Sequence, residues 1–567
     1  MKPLLWIAFS SLAIAAPKPD FTGEWRLSVA KSQFARQQPP QSKVVQIDHR
    51  DPVLIMKILE VANGSPAEGT MFYSTDAVER TNDVLGNAMK AVTKWDGAVL
   101  EMRTSGKFGP NDILLLDRYE LSADGRTLIV KRHFEGRSPQ GVMTPQDQVL
   151  VHELVPLRAG VAKAEITPSE SMPMYGYSNR ACGPSNGVHD PLMAKVLILE
   201  SALTRMAIVT LDLGSIVSAK LHQRVAEELK IPVLLLAASH THSGPMFLPS
   251  AQTPTSPLGQ TPGAPAYREQ LENKVFDAIA KASQSMFEAR LRTGRGEARL
   301  GYNRLVKRGH GRARAAFDNP DRVPYGPLDP EFQLLEVHDP SGDARALLVH
   351  YAVHSVVLGP SNCKYSADFP GAMQAALEAA IPGVQAMFVQ GGAGDINPLF
   401  LGRAKDEEKD FAQVDRMGKL LAAEVLKSRS GMRSVTQTSL PVSAKSASLR
   451  FADRWEKDRT HEIGISTVLI GREIAIATLP GEAMHKLQTT WKEQADVPFA
   501  LFYGYTYANG GVWAGYVPDL RTAAYGGYGG DSTVTRVEPG AGERIMQQHL
   551  IHLFGLRGMW LSQPGAP

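Results

Sequence analysis

This sequence has few cysteines. Only Cys182 and Cys363 occur among its 567 residues, so no more than one internal disulfide bond can form. The two thiols could pair in an oxidising compartment, or they could remain as two buried free thiols. Their separation along the chain does not choose between these alternatives, because it does not give their distance in space.

The sequence also lacks an excess of charge of one sign. It has 61 Lys and Arg residues against 58 Asp and Glu residues, a formal net charge of +3. Without a long basic run, this balance predicts no nucleic-acid partner. A glycine run at residues 391–394 lacks the lysine spacing of a phosphate-binding loop, so we predict no nucleotide site there.

Long hydrophobic runs are absent after the first residues, so no later membrane-spanning helix is predicted. At the N-terminus, Lys2 precedes an apolar run over residues 4–14, which is too short to span a bilayer. Ala13-Ile14-Ala15 matches the small-residue pattern of a cleavage site. Residues 1–16 are therefore predicted to be a signal peptide, without a cysteine for lipid attachment. The mature chain is expected to be secreted or periplasmic.

Residues 20–155 are predicted to form a small, all-β, barrel-like domain. Asp96-Gly97 and Asp124-Gly125 lie between strand-like runs, as is typical of hairpin turns. The opening residues 21–25, Phe-Thr-Gly-Glu-Trp, resemble the start of lipocalin-like modules. A barrel of this size either holds an apolar ligand or is filled by its own side chains. The strand-like runs are residues 44–47, 53–58, 91–95, 98–103, 113–121 and 127–132.

From about residue 157 apolar strands alternate with helices, which predicts an α/β (α+β) catalytic domain with a mixed sheet over residues 157–567. Residues 333–338 and 344–353 are expected to form a hairpin. Residues 249–265 are rich in Pro, Thr, Ser and Gly and predict a long surface loop, either a lid or an insertion without a role. Other predicted strands are residues 206–213, 233–238 and 386–390, and predicted helices are residues 218–229, 266–291 and 407–427.

The strongest chemical signal is the pair His240 and His242, which follows the strand-like run at residues 233–238. A strand end before a Gly-Pro turn holds the backbone while two imidazoles point into a cleft. The same pattern fits surface or core-capping histidines. Later strand ends carry His354, Glu482 and Tyr516. Two histidines, a carboxylate and a phenol would make an open zinc site with room for water.

Each of these later residues also has a structural interpretation. His354 could be a hydrogen-bonded interior histidine, Glu482 could cap the following helix, and Tyr516 could be a packed aromatic residue. Asp368 and Asp395 could be turn or capping residues, or they could orient the metal-binding histidines from behind. We favour metal binding because these residues occur in one chain together with His240.

The motifs and their order resemble the neutral, non-lysosomal ceramidases and their bacterial relatives over about residues 157–560. The resemblance implies a zinc hydrolase that acts on an N-acyl sphingoid or related lipid amide. It also implies one zinc ion per chain and a transient contact with a membrane surface. The matching elements are residues 160–168 and 174–177, Asp212, residues 239–245, Asn303-Arg304, His354 with Asp368, Gly394-Asp395, residues 480–482 and residues 515–517.

The resemblance also implies a role for each matching residue. His242 is expected to help polarise the scissile amide, and Arg304 and Tyr528 are expected to position the substrate. The zinc ligands that it implies are His240, His354, Glu482 and Tyr516.

Asn397 departs from the family pattern, because the ceramidases carry a catalytic serine at this position. An amide side chain cannot be a nucleophile or be deprotonated, so a serine alkoxide is excluded here. Water activated by zinc is still sufficient for hydrolysis, and Asn397 could donate a hydrogen bond to an oxyanion. The alternatives are therefore a zinc hydrolase of a non-lipid amide or an ester, and a catalytically inactive lipid-binding protein. The sequence predicts no particular oligomeric state.

Overall fold

The computed structural model describes residues 18–84, 86–247, 263–307, 309–436 and 439–559. The chain divides into two compact units, Met1–Val155 and Pro156–Pro567. The predicted signal peptide at residues 1–16 and most of the predicted loop, residues 249–262, lie outside the described residues. Within the described ranges, no helix is both long and apolar enough to cross a membrane.

The first unit is an eleven-stranded antiparallel sheet that curls into a nearly closed barrel, as predicted. Side chains alternate between its two faces, and the inner face buries Trp25, Leu54 and Leu100 almost completely. Gly97 and Gly125 have φ of 61° and 67°, so both predicted hairpin turns form. In sheet order the strands are Ser65–Ser74, Val53–Ala62, Ser42–Arg50, Gly23–Leu27, Gln146–Leu154, Thr127–Ser138, Asn111–Leu121, Val99–Phe108, Asn87–Asp96 and Arg80–Val84, and Gly141–Val142 pairs with Thr127–Ser138.

The second unit contains three larger sheets. The first has the order Phe287–Glu288, Arg158–Glu165, Met193–Glu200, Arg205–Leu211, Val233–Ala238 and Thr506–Tyr507. The second has the order Gln385–Gln390, Ala344–Tyr351, Glu331–His338, Arg290–Glu297 and Arg433–Ser434. The third has the order Val442–Ala452, Thr460–Ile470, Ile474–Thr478 and Phe499–Tyr503. Each sheet combines antiparallel pairs with one parallel pair, which confirms the predicted mixed-sheet class.

These three sheets share one central apolar core. Alternate residues of their strands, such as Leu235, Leu348 and Ile476, pack together there and are almost fully buried. The opposite faces of the strands are covered by helices, because successive side chains point to opposite sides. The helices are Ala219–Leu229, Ala264–Gln284, Asp368–Ala380, Glu407–Arg429, His485–Gln494, Leu520–Tyr525 and Ala541–Leu556.

One predicted helix is shorter than expected. The apolar periodicity favoured a helix over residues 266–291, but the helix Ala264–Gln284 ends earlier and Leu291 lies in a strand. Arg290–Glu297 pairs with Glu331–His338 along its whole length, and these tertiary hydrogen bonds outweigh the local helical pattern. Residues 333–338 and 344–351 form the predicted hairpin.

Candidate active site

Parallel strands bring the predicted site residues into one region. Val233–Ala238 runs parallel to Arg205–Leu211 and leads to His240. Ala344–Tyr351, which is parallel to Gln385–Gln390, leads to His354. In α/β sheets, functional side chains collect beyond the carboxyl ends of parallel strands. The sequence-predicted strand ends therefore become neighbours in space.

The imidazole rings of His240, His242 and His354 form a cluster whose ligand nitrogens lie within 4.8 Å of one another. Nε2 of His242 lies 3.2 Å from Nε2 of His240. The Glu482 carboxylate joins them, with Oε2 3.1 Å from Nε2 of His354 and 3.3 Å from Nε2 of His240. These side chains could hold a metal ion.

Backbone carbonyls fix the protons on two of these rings. Nδ1 of His240 lies 2.6 Å from the Gly214 oxygen, and Nδ1 of His354 lies 2.5 Å from the Ala393 oxygen. A carbonyl only accepts, so each Nδ1 carries the hydrogen. Burial and the charge of Arg304 lower the pKa of His354 to about 4, so this ring is neutral at pH 7 and its Nε2 holds a lone pair. Nε2 of His240, Nε2 of His354 and Oε2 of Glu482 are therefore acceptor atoms that lie close together.

The hypothesis that Asp368 or Asp395 orients the metal-binding histidines is wrong. Backbone carbonyl oxygens accept the hydrogen bonds from Nδ1 of His240 and His354 instead. The Asp368 carboxylate accepts hydrogen bonds from the backbone N–H groups of residues 357–358. Asp395 accepts from the backbone N–H of His485, and its Oδ2 lies 2.6 Å from the Nδ1 of that residue. Asp368 therefore holds the turn that follows His354, and Asp395 caps the start of the helix His485–Gln494.

Arg304 organises the other predicted residues. Its buried guanidinium donates to Oδ1 of Asn397 at 3.1 Å and to the hydroxyl of Tyr516 at 2.8 Å. It also lies 5.5 Å from the ring centroids of both Tyr516 and Tyr528. The structure thus brings Arg304, Asn397, Tyr516 and Tyr528 together as one group.

Two short sheets join this group to the histidine cluster. Gly301–Asn303, just before Arg304, pairs with Ile396–Pro398 and places Tyr302 opposite Asn397. Glu482–Ala483 pairs in parallel with Tyr516–Val517 and places Glu482 opposite Tyr516. All the predicted metal ligands and catalytic residues therefore lie in one connected site.

Three residues at the site have backbone conformations that are rare outside glycine. His240, Asp368 and Tyr505 have φ of 62°, 58° and 54°. Such left-handed residues persist only where the surrounding structure holds them, and they concentrate at functional sites. The strained turn at His240 directs its ring from the strand end into the cluster.

Several residues around the cluster were not predicted from the sequence. The ring centroid of Tyr505 lies 4.4 Å from that of His240, and its buried hydroxyl has no hydrogen-bonding partner among the described residues. The ring of Tyr177 lies 5.0 Å from that of His242, whose carbonyl oxygen accepts from Arg180. Tyr177 lies in a family-like motif, which was the available signal, whereas Tyr505 follows a buried strand with no motif of its own.

Cys182 and Cys363 form a disulfide bond, which decides between the two alternatives that the sequence left open. The bond joins two loops beside the site. Arg180 donates to the Asn362 oxygen, and Asn362 in turn donates to Oγ of Ser243 at 3.0 Å. The loop that carries His242 is therefore held by residues on both sides of the disulfide.

Comparisons with known proteins agree with this site. The family described as neutral/alkaline non-lysosomal ceramidase, N-terminal, matches residues 157–430. The neutral ceramidase of Pseudomonas aeruginosa is 30% identical over 263 residues, which cover 43% of this chain and 37% of that protein. The aligned region thus spans less than half the length of this relative. Glu482, Tyr516 and Tyr528 lie beyond the residues that the family matches.

Solved structures give the same fold for most of the chain. A structure described as ceramidase complexed with C2 has a TM-score of 0.59 at 18% identity and covers 73% of this chain and 77% of its own. The crystal structure of neutral ceramidase from Pseudomonas aeruginosa has a TM-score of 0.58 at 20% identity, with coverage of 73% and 76%. The resemblance noted in the sequence is confirmed, because residues 157–430 match the model of the neutral/alkaline non-lysosomal ceramidase family.

Proposed function

We propose that this chain is a zinc-dependent hydrolase that adds water across the amide bond of an N-acyl sphingoid or a related lipid. The match of residues 157–430 to this family and the similarity to a protein named neutral ceramidase support an amide-hydrolysing activity. The zinc requirement and the role of each residue rest on the geometry of the site.

The spacing of the acceptor atoms is the observation that carries this proposal. A tetrahedral zinc ion with bonds of about 2.0–2.1 Å separates its ligand atoms by about 3.3 Å. Among the proposed ligand atoms, Oε2 of Glu482 lies 3.1 Å from Nε2 of His354 and 3.3 Å from Nε2 of His240. Buried acceptors this close together repel one another unless a cation lies between them. This donor set fits zinc.

In this proposal the zinc would be held by His240, His354, Glu482 and Tyr516. A bound zinc ion supplies Lewis-acid polarisation of an acyl carbonyl and a lowered pKa for water. The carbonyl oxygens of Gly214 and Ala393 hold the two imidazoles with Nε2 toward the ion.

Other residues of the chain would orient the substrate and stabilise charge. Oδ1 of Asn397 accepts from Arg304, and a developing oxyanion would accept from an amide N–H of Asn397. Nδ1 of His242 is buried without a partner among the described residues, so this ring can carry its proton on either nitrogen and polarise the scissile amide. Phe317 is half-exposed with its ring 5.2 Å from that of Tyr528, which offers apolar surface to an acyl chain.

The asparagine at position 397 also makes an ester or a non-lipid amide a second candidate substrate. No serine nucleophile is present at this position, so catalysis would rely on water alone. An ester or a non-lipid amide can react in the same way, because nothing in that chemistry requires a sphingoid group. A substrate panel separates these cases from the lipid amide.

The test is zinc quantification on the purified full chain, followed by hydrolysis of N-acyl-sphingosine before and after chelation. We expect about one zinc ion per chain, loss of hydrolysis on chelation and recovery when zinc is returned. His240→Ala should lose both the metal and the activity, whereas the exposed His310→Ala should keep both. A metal-free chain that hydrolyses at the full rate would contradict the proposal.

We also propose that the chain is exported. The Cys182–Cys363 disulfide supports an oxidising compartment, and the composition of residues 1–16 supports a cleaved leader. Cell fractionation with N-terminal sequencing of the mature protein tests this directly, and a retained N-terminus in the cytoplasmic fraction would be the contrary result.

A further inference from the structure

The interior of the barrel contains a cluster of charged side chains beside its apolar core. Nε and Nη2 of Arg132 donate to the two carboxylate oxygens of Asp117 at 2.7 and 2.8 Å, and Asp117 is only 3% exposed. Nζ of Lys43 lies 2.7 Å from Oε2 of Glu60. Asp117 is two residues from the buried Tyr119 along the same strand, so both side chains point inward.

Two phenol groups lie in the same interior. Tyr73 and Tyr119 are buried, yet their hydroxyls make no hydrogen bond to another described residue. Burial and the charge of Asp117 raise the pKa of both phenols, so they remain neutral donors. Each of them also interacts electrostatically with Arg132. A hydroxyl in a protein interior normally has a partner, and these two are available to donate to a ligand.

Two apolar side chains, Leu115 and Phe134, lie next to this charged cluster. Leu115 lies opposite Phe134 on the neighbouring strand, directly beside the Asp117–Arg132 pair. Leu115 is half-buried and Phe134 is buried, and both lie outside the cluster of apolar side chains that packs around Trp25 and Leu100. The Arg132 side chain is 25% exposed although it points inward. Inward-pointing side chains at this end of the barrel therefore keep part of their surface exposed.

The charges of the cluster cancel. Lys43 and Arg132 are opposed by Glu60 and Asp117, and burial lowers the pKa of the nearby His152 to about 4, so that ring is neutral. A charged ligand would place an uncompensated charge in a site of low dielectric, which is costly. A neutral head group that both donates and accepts hydrogen bonds avoids this penalty.

We propose that the barrel binds an uncharged single-chain amphiphile with an amide head. The amide oxygen would accept from the phenols of Tyr73 and Tyr119 and from the remaining N–H groups of Arg132, and the amide N–H would donate to Asp117. The acyl chain would lie against Leu115 and Phe134. This site is separate from the hydrolytic residues and does not depend on the proposed hydrolysis.

The test compares three ligands that share a twelve-carbon chain, by titration calorimetry on the full chain carrying Glu482→Gln, so that an amide is not consumed. The ligands are N-dodecanoylethanolamine, dodecanoate and dodecylamine. We expect the neutral amide to bind at least about tenfold more tightly than either ion. Equal or tighter binding of dodecanoate or dodecylamine would overturn the proposal, as would the absence of binding of the amide.

Two variants locate the binding in the barrel. Tyr73→Phe with Tyr119→Phe removes two hydroxyls without changing packing, and we expect about tenfold weaker binding of the amide. Leu115→Trp fills the open end and should weaken binding at least as much. Tyr525→Phe, a phenol of the second unit, is the matched control. In a chain with the natural Glu482, the double variant Tyr73→Phe with Tyr119→Phe should leave hydrolysis unchanged. Failure of the barrel-binding proposal is therefore distinguishable from failure of the proposed function. Unchanged binding in the tyrosine pair would overturn the proposal.

Discussion

The two units each bury a polar cluster, and the clusters differ in their balance of charge and hydrogen-bonding groups. At the candidate active site, His240, His354 and Glu482 direct acceptor atoms at one point. In the barrel, the carboxylate of Asp117 is matched by two N–H groups of Arg132. The first cluster has an excess of acceptor atoms, whereas the second is neutral by itself.

The balance of charge and hydrogen-bonding groups in a buried cluster indicates which ligand it can bind. An excess of acceptors is unstable in a dry interior and is relieved by a cation, which is the basis of a metal site. A balanced ion pair with unused hydroxyls beside it needs only neutral hydrogen-bonding partners. Both clusters contain carboxylate, histidine, arginine and tyrosine side chains. Amino-acid composition alone would therefore not distinguish the metal site from the neutral site.

The greatest loss of stability is predicted when the charge balance of the Asp117–Arg132 pair is removed. Asp117→Asn leaves the Arg132 guanidinium without its counter-charge, and we expect the barrel to lose about 3 kcal/mol of stability. Hydrogen exchange measured on the strands Asn111–Leu121 and Thr127–Ser138 reports this loss locally. Asp112→Asn, an exposed carboxylate on the same strand, should change exchange little. Equal protection in the two variants would show that the ion pair is not needed for the barrel's stability.

A smaller effect is expected at Arg304, which links the active-site groups. Arg304→Lys keeps the charge but cannot reach Tyr516 and Asn397 together, because lysine lacks the planar fork. We expect kcat/KM to fall roughly 10- to 100-fold, or about 1.4–2.7 kcal/mol, with the folded structure retained. The exposed Arg312→Lys is the control. Kinetics equal to those of the control would remove Arg304 from the proposed machinery.

The weakest effect is predicted for Glu482→Gln, which should stabilise the metal-free protein rather than destabilise it. Glu482→Gln replaces one acceptor with an amide that can donate to Nε2 of His240 or His354. We therefore expect the metal-free protein to gain about 1 kcal/mol of stability, even though zinc binding and hydrolysis are lost. Thermal unfolding in the presence of a chelator measures this, with the exposed Glu493→Gln as the reference. A clear loss of stability would contradict the acceptor-rich description of the cluster.

The sequence predicted the class of both units because hydrophobic periodicity and turn chemistry are local signals. It located the hairpin turns of the barrel and the strand ends that carry His240 and His354. It missed strands such as Gln146–Leu154, where alternation is visible only when the neighbouring strands are known. It also extended the helix Ala264–Gln284 too far, because pairing with a distant strand decides where that helix ends.

By itself, the sequence determined which chemical groups are available: two family-like histidines, a carboxylate, a phenol, and asparagine in place of a serine. Tertiary structure decided which of these groups meet. Carbonyl oxygens, rather than the predicted aspartates, hold the histidine rings, and Arg304 joins Asn397 to Tyr516 from far along the chain. Each side chain's identity is given by its own position in the sequence. Distances and hydrogen-bond partners arise only when strands from separate segments pack together.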